Sequence, residues 1–288
     1  MPAIPSRFLP WRDRAGRLSP LKAAAFAALF VPGLATLVQF ELGQFAGQPI
    51  KEMTHETGLW AIRFLYLSLA VTPLRFVFKL PRLLLIRRML GVAAFAYACL
   101  HLSLFVIDKA FDFAIVATEI ALRIYLTIGF ATVVTLAALA ATSTDAMVKR
   151  LGAKRWQALH RAVYAAALLA TVHFFMQSKL EVAEPTVMAG LGYWLIGYRI
   201  VSWTAGPAAP ARWPWLAGLA VAGGVLAALT EAFYVGLLRG ANPLWILAAD
   251  INPDYGLRPP WIAFLILIAI PIAALARDRL TRPRPKSA

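Results

Sequence analysis

Three of the chain's four histidines lie in long apolar segments, where an imidazole side chain needs a partner. His101 lies in one segment, and His160 and His173 lie in another. His101 follows Arg88 by 13 residues and His173 follows Arg155 by 18, so both reach the far half of a helix that starts at those arginines. His160 stays near the start of its segment. Two imidazoles at equal depth on neighbouring helices are what a six-coordinate haem iron requires, and a helix bundle supplies an apolar slot for the porphyrin.

The residues alone leave other uses of these histidines open. A histidine in a membrane helix can also hydrogen-bond a neighbouring helix or relay protons. A zinc site is less favoured because no carboxylate or cysteine accompanies the histidines, and the single cysteine, Cys99, lies within an apolar run. His160 and His173 are 13 residues apart, or about 140° around an ideal helix, so they share a face only if the helix is distorted.

The elements that must position these histidines are membrane helices. The 288 residues are 60% hydrophobic and only 15% charged, which is too apolar for a soluble domain of this length. The apolar runs are continuous rather than alternating, which excludes a β-barrel, and many are about 20 residues long, enough for a helix to cross a bilayer. The sequence therefore predicts an all-α polytopic membrane protein with eight spans, at 21–40, 58–78, 89–107, 120–141, 157–176, 186–203, 213–238 and 260–276.

The basic residues alternate between the two ends of these spans. One side receives 22 of the 29 lysines and arginines, including the N-terminal Arg7, Arg12, Arg14, Arg17 and Lys22 and the C-terminal Arg277, Arg279, Arg282, Arg284 and Lys286. The positive-inside rule then predicts that both termini are cytoplasmic, which requires an even number of spans. The net charge of +15 is thus explained by topology, and no nucleic-acid partner is expected.

Two charged residues and one loop complete the organisation. Arg63 in the second span and Glu231 in the seventh are costly unless they are paired or reach an interface, and Glu231 is near enough to the outer end to snorkel. The Pro- and Ala-rich stretch TAGPAAPARWPW at 204–215 is typical of a boundary. We therefore expect a basic arm at 1–20, a six-helix core at 21–205 and a two-helix extension with a basic tail at 206–288.

Four segments resemble a known family. They are TGLWAIRFLYLSLAVTPLR at 57–75, RRMLGVAAFAYACLHL at 87–102, RIYLTIGFATVVTLAALAATS at 123–143 and LGAKRWQALHRAVYAAALLATVHF at 151–174. In this order they are similar to the MsrQ family, the haem-binding membrane subunits of the bacterial MsrPQ methionine-sulfoxide reductase system. That family belongs to the ferric-reductase-like transmembrane group. The resemblance covers roughly residues 20–205 and implies a ferric-reductase-like six-helix core.

The resemblance implies b-type haem with His101, His160 and His173 as ligands. Relatives with four histidines carry one more ligand 14 residues before the outer histidine of the third span, and here that position is Arg87. His101 and His173 would then bind an outer haem, whereas His160 would serve an inner haem whose second ligand is open, so the chain would hold one haem or two. Arg87 either bonds a haem propionate, lies near the iron or anchors the topology. Arg161 is also a candidate propionate partner, and Arg123 would meet an outer-haem propionate or an acidic neighbour such as Glu119.

The resemblance also implies a location and partners. The chain would lie in the bacterial inner membrane and pass electrons to a periplasmic molybdopterin subunit of the MsrP type, which would perform the sulfoxide chemistry. The donor would be quinol or a cytoplasmic flavin reductase, and FMN is a further cofactor of the family. No nicotinamide motif of the GxGxxG type follows a strand here, so nicotinamide oxidation is expected on another protein.

Two other functions remain as alternatives. One is a ferric-reductase-like or superoxide-producing haem protein with a different electron acceptor. The other is a proton-coupled transporter, which predicts no haem and an inverted-repeat symmetry that the sequence does not display.

Overall fold

The computed structural model describes residues 9–12, 15–45, 47–179 and 181–281. All of the regular secondary structure assigned to these residues is helical. Arg7, Arg14, Arg282, Arg284 and Lys286 of the predicted basic arm and tail lie outside these residues. The α-helices are α1 Pro20–Ala28, α2 Val31–Glu41, α3 Pro49–Val77, α4 Leu84–Asp108, α5 Phe113–Leu122, α6 Ile124–Ala141, α7 Asp145–Leu151, α8 Ala153–His160, α9 Ala162–Ser178, α10 Ala183–Thr204, α11 Trp213–Arg239, α12 Pro243–Ile251 and α13 Pro259–Leu280. Short 3-10 turns occur at Pro81–Leu83, Ala209–Ala211 and Pro253–Tyr255.

Within the described residues, seven helical segments are long and apolar enough to cross a membrane: Pro20–Glu41, Pro49–Val77, Pro81–Asp108, Ile124–Ala141, Ala153–Ser178, Trp213–Arg239 and Pro259–Leu280. They correspond to seven of the eight predicted spans, and the prediction of an all-α polytopic membrane protein is confirmed. The remaining predicted span, 186–203, lies in the 22-residue α10. Its glycines, its aromatic residues and Arg199 make α10 less apolar than the other seven, and its crossing of the membrane stays a prediction.

The first predicted span is broken into two helices. Pro32 falls in the first turn of α2, where its missing N–H would interrupt a continuous helix. Tyr97 of α4 satisfies backbone groups at the break, since its hydroxyl accepts a hydrogen bond from the N–H of Gly33 at 2.9 Å and donates one to the carbonyl of Leu29 at 2.8 Å. A single phenol thus holds the end of α1 and the start of α2 against α4.

The chain divides into two compact units. The first unit comprises the described parts of residues 1–69 and 83–173, and the second comprises 70–82 and the described parts of 174–288. By contacts, α10 groups with α11 and α13, whereas the sequence had assigned it to the six-helix core. The predicted boundaries at residues 20 and 205, which separate the basic arm, the six-helix core and the C-terminal extension, stay predictions.

Small residues allow the helices of the second unit to approach closely. A Cβ added at Gly190 of α10 would lie 2.7 Å from the Cβ of Ala263 in α13, and one added at Gly223 of α11 would lie 3.0 Å from the carbonyl oxygen of Gly190. Close backbone approach of this kind is a usual way for helices to pack in a membrane, where lipid is as apolar as leucine. Trp194 of α10 and Leu216 of α11 are almost fully buried in the second unit.

Candidate metal centre

His101 and His173 lie side by side within the first unit. The centres of their rings are 6.2 Å apart, and the ring planes are nearly perpendicular, at 86°. His101 lies on α4 and His173 on α9, so the two imidazoles come from helices far apart in sequence. The similar depth inferred from the sequence is therefore matched by direct proximity of the rings.

Each imidazole is oriented by one backbone carbonyl. The Nδ1 atom of His101 lies 2.7 Å from the carbonyl oxygen of Thr54, and the Nδ1 atom of His173 lies 2.7 Å from that of Tyr125. A carbonyl oxygen can only accept, so each Nδ1 carries the hydrogen and donates it. Each Nε2 then keeps its lone pair, which is the state in which a histidine binds a metal.

A glycine next to each carbonyl makes room for the ring. A Cβ added at Gly58 of α3 would lie 2.7 Å from Nδ1 of His101, and one added at Gly129 of α6 would lie 2.7 Å from Cε1 of His173. Each glycine follows its carbonyl by four residues, and in an α-helix positions i and i+4 lie on the same face. The two helices therefore use the same local device, a carbonyl and a bare backbone position one turn apart, to hold one imidazole each.

The spacing of the two rings fits a shared metal ion. Bonds from a metal to an imidazole nitrogen are about 2 Å long, so an ion held between two opposed imidazoles places the ring centres roughly 6 Å apart. The observed 6.2 Å agrees with that spacing. Two opposed imidazoles are the protein's share in a six-coordinate haem, because the porphyrin supplies the other four nitrogens. The donors present thus fit a haem iron.

His160 has a different environment, near the junction of α8 and α9. Its ring stacks on Trp156 with centres 3.9 Å apart and planes 24° from parallel. Its Nε2 lies 3.1 Å from the hydroxyl of Thr142, and the indole N–H of Trp156 donates to the carbonyl of the same threonine at 2.9 Å. The contacts of His160 are thus with Trp156 and Thr142, while Arg87 and Arg88 of α4 act on it electrostatically.

The three arginines proposed from the sequence differ in position. Arg123 connects α5 and α6, where its guanidinium pairs with Glu119 at 3.0 Å and donates to the Tyr125 hydroxyl at 3.2 Å. The acidic neighbour that the sequence offered as one alternative for Arg123 is therefore its actual partner. Arg161 is exposed at the junction of α8 and α9. Arg87 is half-buried, and its backbone carbonyl accepts a hydrogen bond from the Ser68 hydroxyl at 3.1 Å.

Sequence reasoning missed the carbonyls of Thr54 and Tyr125 and the role of Gly58. Backbone carbonyls carry no residue-type signal, so nothing in the sequence could have identified them. The two glycines did give a signal, because each is an isolated glycine in an apolar helix. Such a glycine often marks close backbone approach.

Comparisons with known proteins identify the family of the chain. The family model described as ferric reductase like transmembrane component matches residues 57–171, which include His101 and His160. The chain is 40% identical over 191 residues to the protein-methionine-sulfoxide reductase heme-binding subunit MsrQ of Rhodospirillum rubrum, covering 66% of this chain and 89% of the relative. It is 43% identical over 188 residues to the MsrQ of Herminiimonas arsenicoxydans, covering 64% and 86%. For the MsrQ of Ralstonia nicotianae the identity is 38% over 200 residues, covering 68% and 90%. No solved structure gives a significant match.

Proposed function

Because the chain belongs to the MsrQ family, we propose that it is the haem-b electron-transfer subunit of a protein-methionine-sulfoxide reductase and carries electrons across the membrane. The observation that carries this proposal is the pair of imidazoles with ring centres 6.2 Å apart, each held through Nδ1. We call His101 and His173 the histidine pair.

The histidine pair would bind the haem iron through its two Nε2 atoms. When bound, a haem supplies one-electron exchange between ferric and ferrous iron. The chain's own contribution is to fix the ligands: the carbonyls of Thr54 and Tyr125 set the tautomer and the ring orientation. Because these carbonyls already orient both imidazoles, little rearrangement of the two side chains would be needed to hold a haem.

His160 is the candidate ligand of a second, inner haem, and Arg87 and Arg88 act electrostatically on its ring. For His160 to bind iron through Nε2, its contact with the Thr142 hydroxyl must open. Arg161 is exposed and suits a contact with a haem propionate, whereas Arg123 would have to leave Glu119 to make one.

The electron acceptor in this proposal is a periplasmic molybdopterin subunit of the MsrP type, and the donor is quinol or a cytoplasmic flavin reductase. The names of the relatives support a partner, since each is a heme-binding subunit of a protein-methionine-sulfoxide reductase. The chain would lie in the bacterial inner membrane with both termini in the cytoplasm, as its basic loops predict. FMN would be an additional cofactor.

The proposal is tested by reduced-minus-oxidised spectra and haem-to-protein ratios of the purified chain and of single histidine variants. We expect His101→Ala and His173→Ala each to abolish the outer haem. His55→Ala is the matched control, because His55 is exposed on α3 one residue from Thr54. A wild-type chain without haem, or variants of the histidine pair that keep the full haem content, would contradict the proposal. His160→Ala counts the haems: loss of half the haem indicates an inner site, and an unchanged content indicates one haem.

Electron transfer to another acceptor, such as ferric iron, is a second candidate because the matching family model describes ferric reductases. The two candidates differ in what oxidises the reduced haem. We expect the reduced haem to be fully reoxidised when a molybdopterin sulfoxide reductase and methionine sulfoxide are both present. We do not expect full reoxidation when only one of the two is present. Equally fast reoxidation by ferric chelates in the absence of that partner would favour the second candidate.

A further inference from the structure

A buried group of three charged side chains lies in the second unit. Glu231 of α11 and Asp250 of α12 have side chains only 3% and 5% exposed. Arg258, the residue before α13, contacts both: its Nη2 donates to Oε1 of Glu231 at 2.7 Å and its Nε donates to Oδ1 of Asp250 at 3.2 Å. Glu231 therefore does not snorkel to an interface, as the sequence had allowed, but is buried and paired. We call Glu231 and Asp250 the carboxyl pair.

The two carboxyl groups must lie next to each other. The Nε and Nη2 hydrogens of a guanidinium point in the same direction and form its fork. In most ion pairs this fork holds the two oxygens of one carboxylate, but here it holds one oxygen from each of two carboxyls. Like charges so close in a buried site disfavour ionisation of both groups.

The remaining oxygens of the carboxyl pair point to a missing hydrogen. Oε2 of Glu231 and Oδ2 of Asp250 are both buried and have no hydrogen-bond partner among the described residues. Two ionised carboxylates against one guanidinium would leave one buried negative charge uncompensated, and such a charge is strongly disfavoured in an apolar interior. One proton would remove the excess charge and supply the donor that both oxygens lack.

No other described cation is placed to neutralise the pair. Two tyrosines of the same unit are bonded elsewhere, Tyr193 to the Thr230 hydroxyl and Tyr234 to the carbonyl of Phe175. The other titratable side chains near the start of α10, the end of α11 and the ends of α12 are exposed: Lys179, Glu181, Glu184, Arg239, Asp254 and Tyr255. Among the described residues, the charge balance is therefore set by Glu231, Asp250 and Arg258.

We propose that Glu231 and Asp250 share one proton in a carboxyl–carboxylate hydrogen bond, forming a proton-binding site clamped by Arg258. The proton comes from solvent, and its uptake changes the site from a net charge of −1 to neutral. Arg258 is 28% exposed, so the site is buried yet only one side chain from the surface. The indole N–H of Trp261 donates to the carbonyl of Asp250 at 2.6 Å and holds this residue in place. The site gives the C-terminal helices a role that the haem chemistry does not use.

Infrared difference spectroscopy on the full-length protein in lipid nanodiscs tests the proposal directly. A protonated carboxyl has a C=O stretching band that a carboxylate lacks, and the band shifts in D₂O. We expect the wild type near neutral pH to show a band equivalent to one carboxyl per chain. Glu181→Gln, which changes an exposed acid in the same unit, is the matched control and should leave the band unchanged.

The amide variants test whether both carboxyls are needed for the protonated band. With a shared proton, Glu231→Gln and Asp250→Asn each abolish the band, because the remaining carboxylate is then neutralised by Arg258. Persistence of the band in Asp250→Asn would assign the proton to Glu231 alone and overturn sharing. A wild type without the band overturns the proposal, and so does a band that sodium or magnesium ions remove at constant pH, since a bound cation would then balance the charge. The wild-type and cation measurements need no variant, so they decide the question even if a variant fails to fold.

Discussion

The histidine pair and the carboxyl pair solve the same problem, two titratable side chains facing each other in an apolar bundle, in opposite ways. The imidazoles are satisfied by uncharged backbone carbonyls of Thr54 and Tyr125, so both remain neutral and each keeps the lone pair of its Nε2. The carboxyls are satisfied by the cation of Arg258 and lack one further charge. The difference shows that a neutral pair with free lone pairs suits a metal ion, whereas an acidic pair with a single cation suits a proton.

The largest expected effect comes from removing the cation of the carboxyl pair. Arg258→Met should lower the free energy of unfolding by about 3–5 kcal/mol at neutral pH, since breaking a buried ion pair leaves its partner uncompensated. The measurement is thermal unfolding in detergent followed by circular dichroism. Arg239→Met, which removes an exposed arginine at the end of α11, is the control and should have little effect. Equal losses of unfolding free energy in both variants would mean that the buried carboxyl pair does not depend on Arg258 for its stability.

The pH dependence of stability sharpens the same contrast. Burial raises the pKa of Asp250, and Arg258 only partly opposes this rise. Between the two pKa values, the folded protein holds a proton on Asp250 that the unfolded chain has released. The contribution of this proton to the free energy of unfolding is therefore complete below the ordinary pKa of an aspartate. It is lost as pH rises through the folded-state pKa. The unfolding temperature should fall across that range in the wild type and should fall less in Asp250→Asn. A wild-type profile identical to that of the variant would contradict the prediction.

The next effect concerns the space around the histidine pair. Gly58→Ala and Gly129→Ala would each place a methyl group 2.7 Å from an imidazole, so the ring must move away from its carbonyl. Overpacking of this kind costs about 1–3 kcal/mol, and we expect a severalfold loss of haem per chain. Gly218→Ala is the matched control, because a Cβ there meets nothing within 4 Å. Full haem content in both site variants would show that the glycines do not position the ligands.

These positions also mark how far sequence reasoning reaches. The continuous apolar runs predict seven of the membrane helices, and the equal depth of His101 and His173 predicts that they meet, because rise per residue in a helix is fixed. The break between α1 and α2 was missed, although Pro32 signals it, because a hydropathy run averages over a single interrupting residue. The partnership of Glu231 with Asp250 and Arg258 could not be predicted, since it depends on how three separate helices pack in space.

A smaller effect is expected at His160. Thr142→Val removes the hydroxyl that lies 3.1 Å from Nε2 of His160 but keeps the carbonyl that accepts from Trp156. Loss of one hydrogen bond costs about 0.5–1.5 kcal/mol. If His160 binds an inner haem, the variant keeps its haem content, because the ligand nitrogen is released rather than lost. A drop in haem content equal to that of His160→Ala would instead make Thr142 part of the haem site.

The smallest effect is expected at the exposed counterpart of the Arg258 clamp. Arg123 also joins a carboxylate to a second group, with Glu119 at 3.0 Å and the Tyr125 hydroxyl at 3.2 Å, but its side chain is 51% exposed. Water screens the exposed Arg123 end of this pair, whereas Glu119 is only 18% exposed, so Glu119→Gln should lower the unfolding temperature only slightly. Tyr125 still offers its carbonyl to His173 in this variant, so the haem content should also be unchanged. A large loss of haem in Glu119→Gln would show that the ion pair, and not the backbone alone, holds the carbonyl of Tyr125 in place, and the histidine pair would then depend on charge after all.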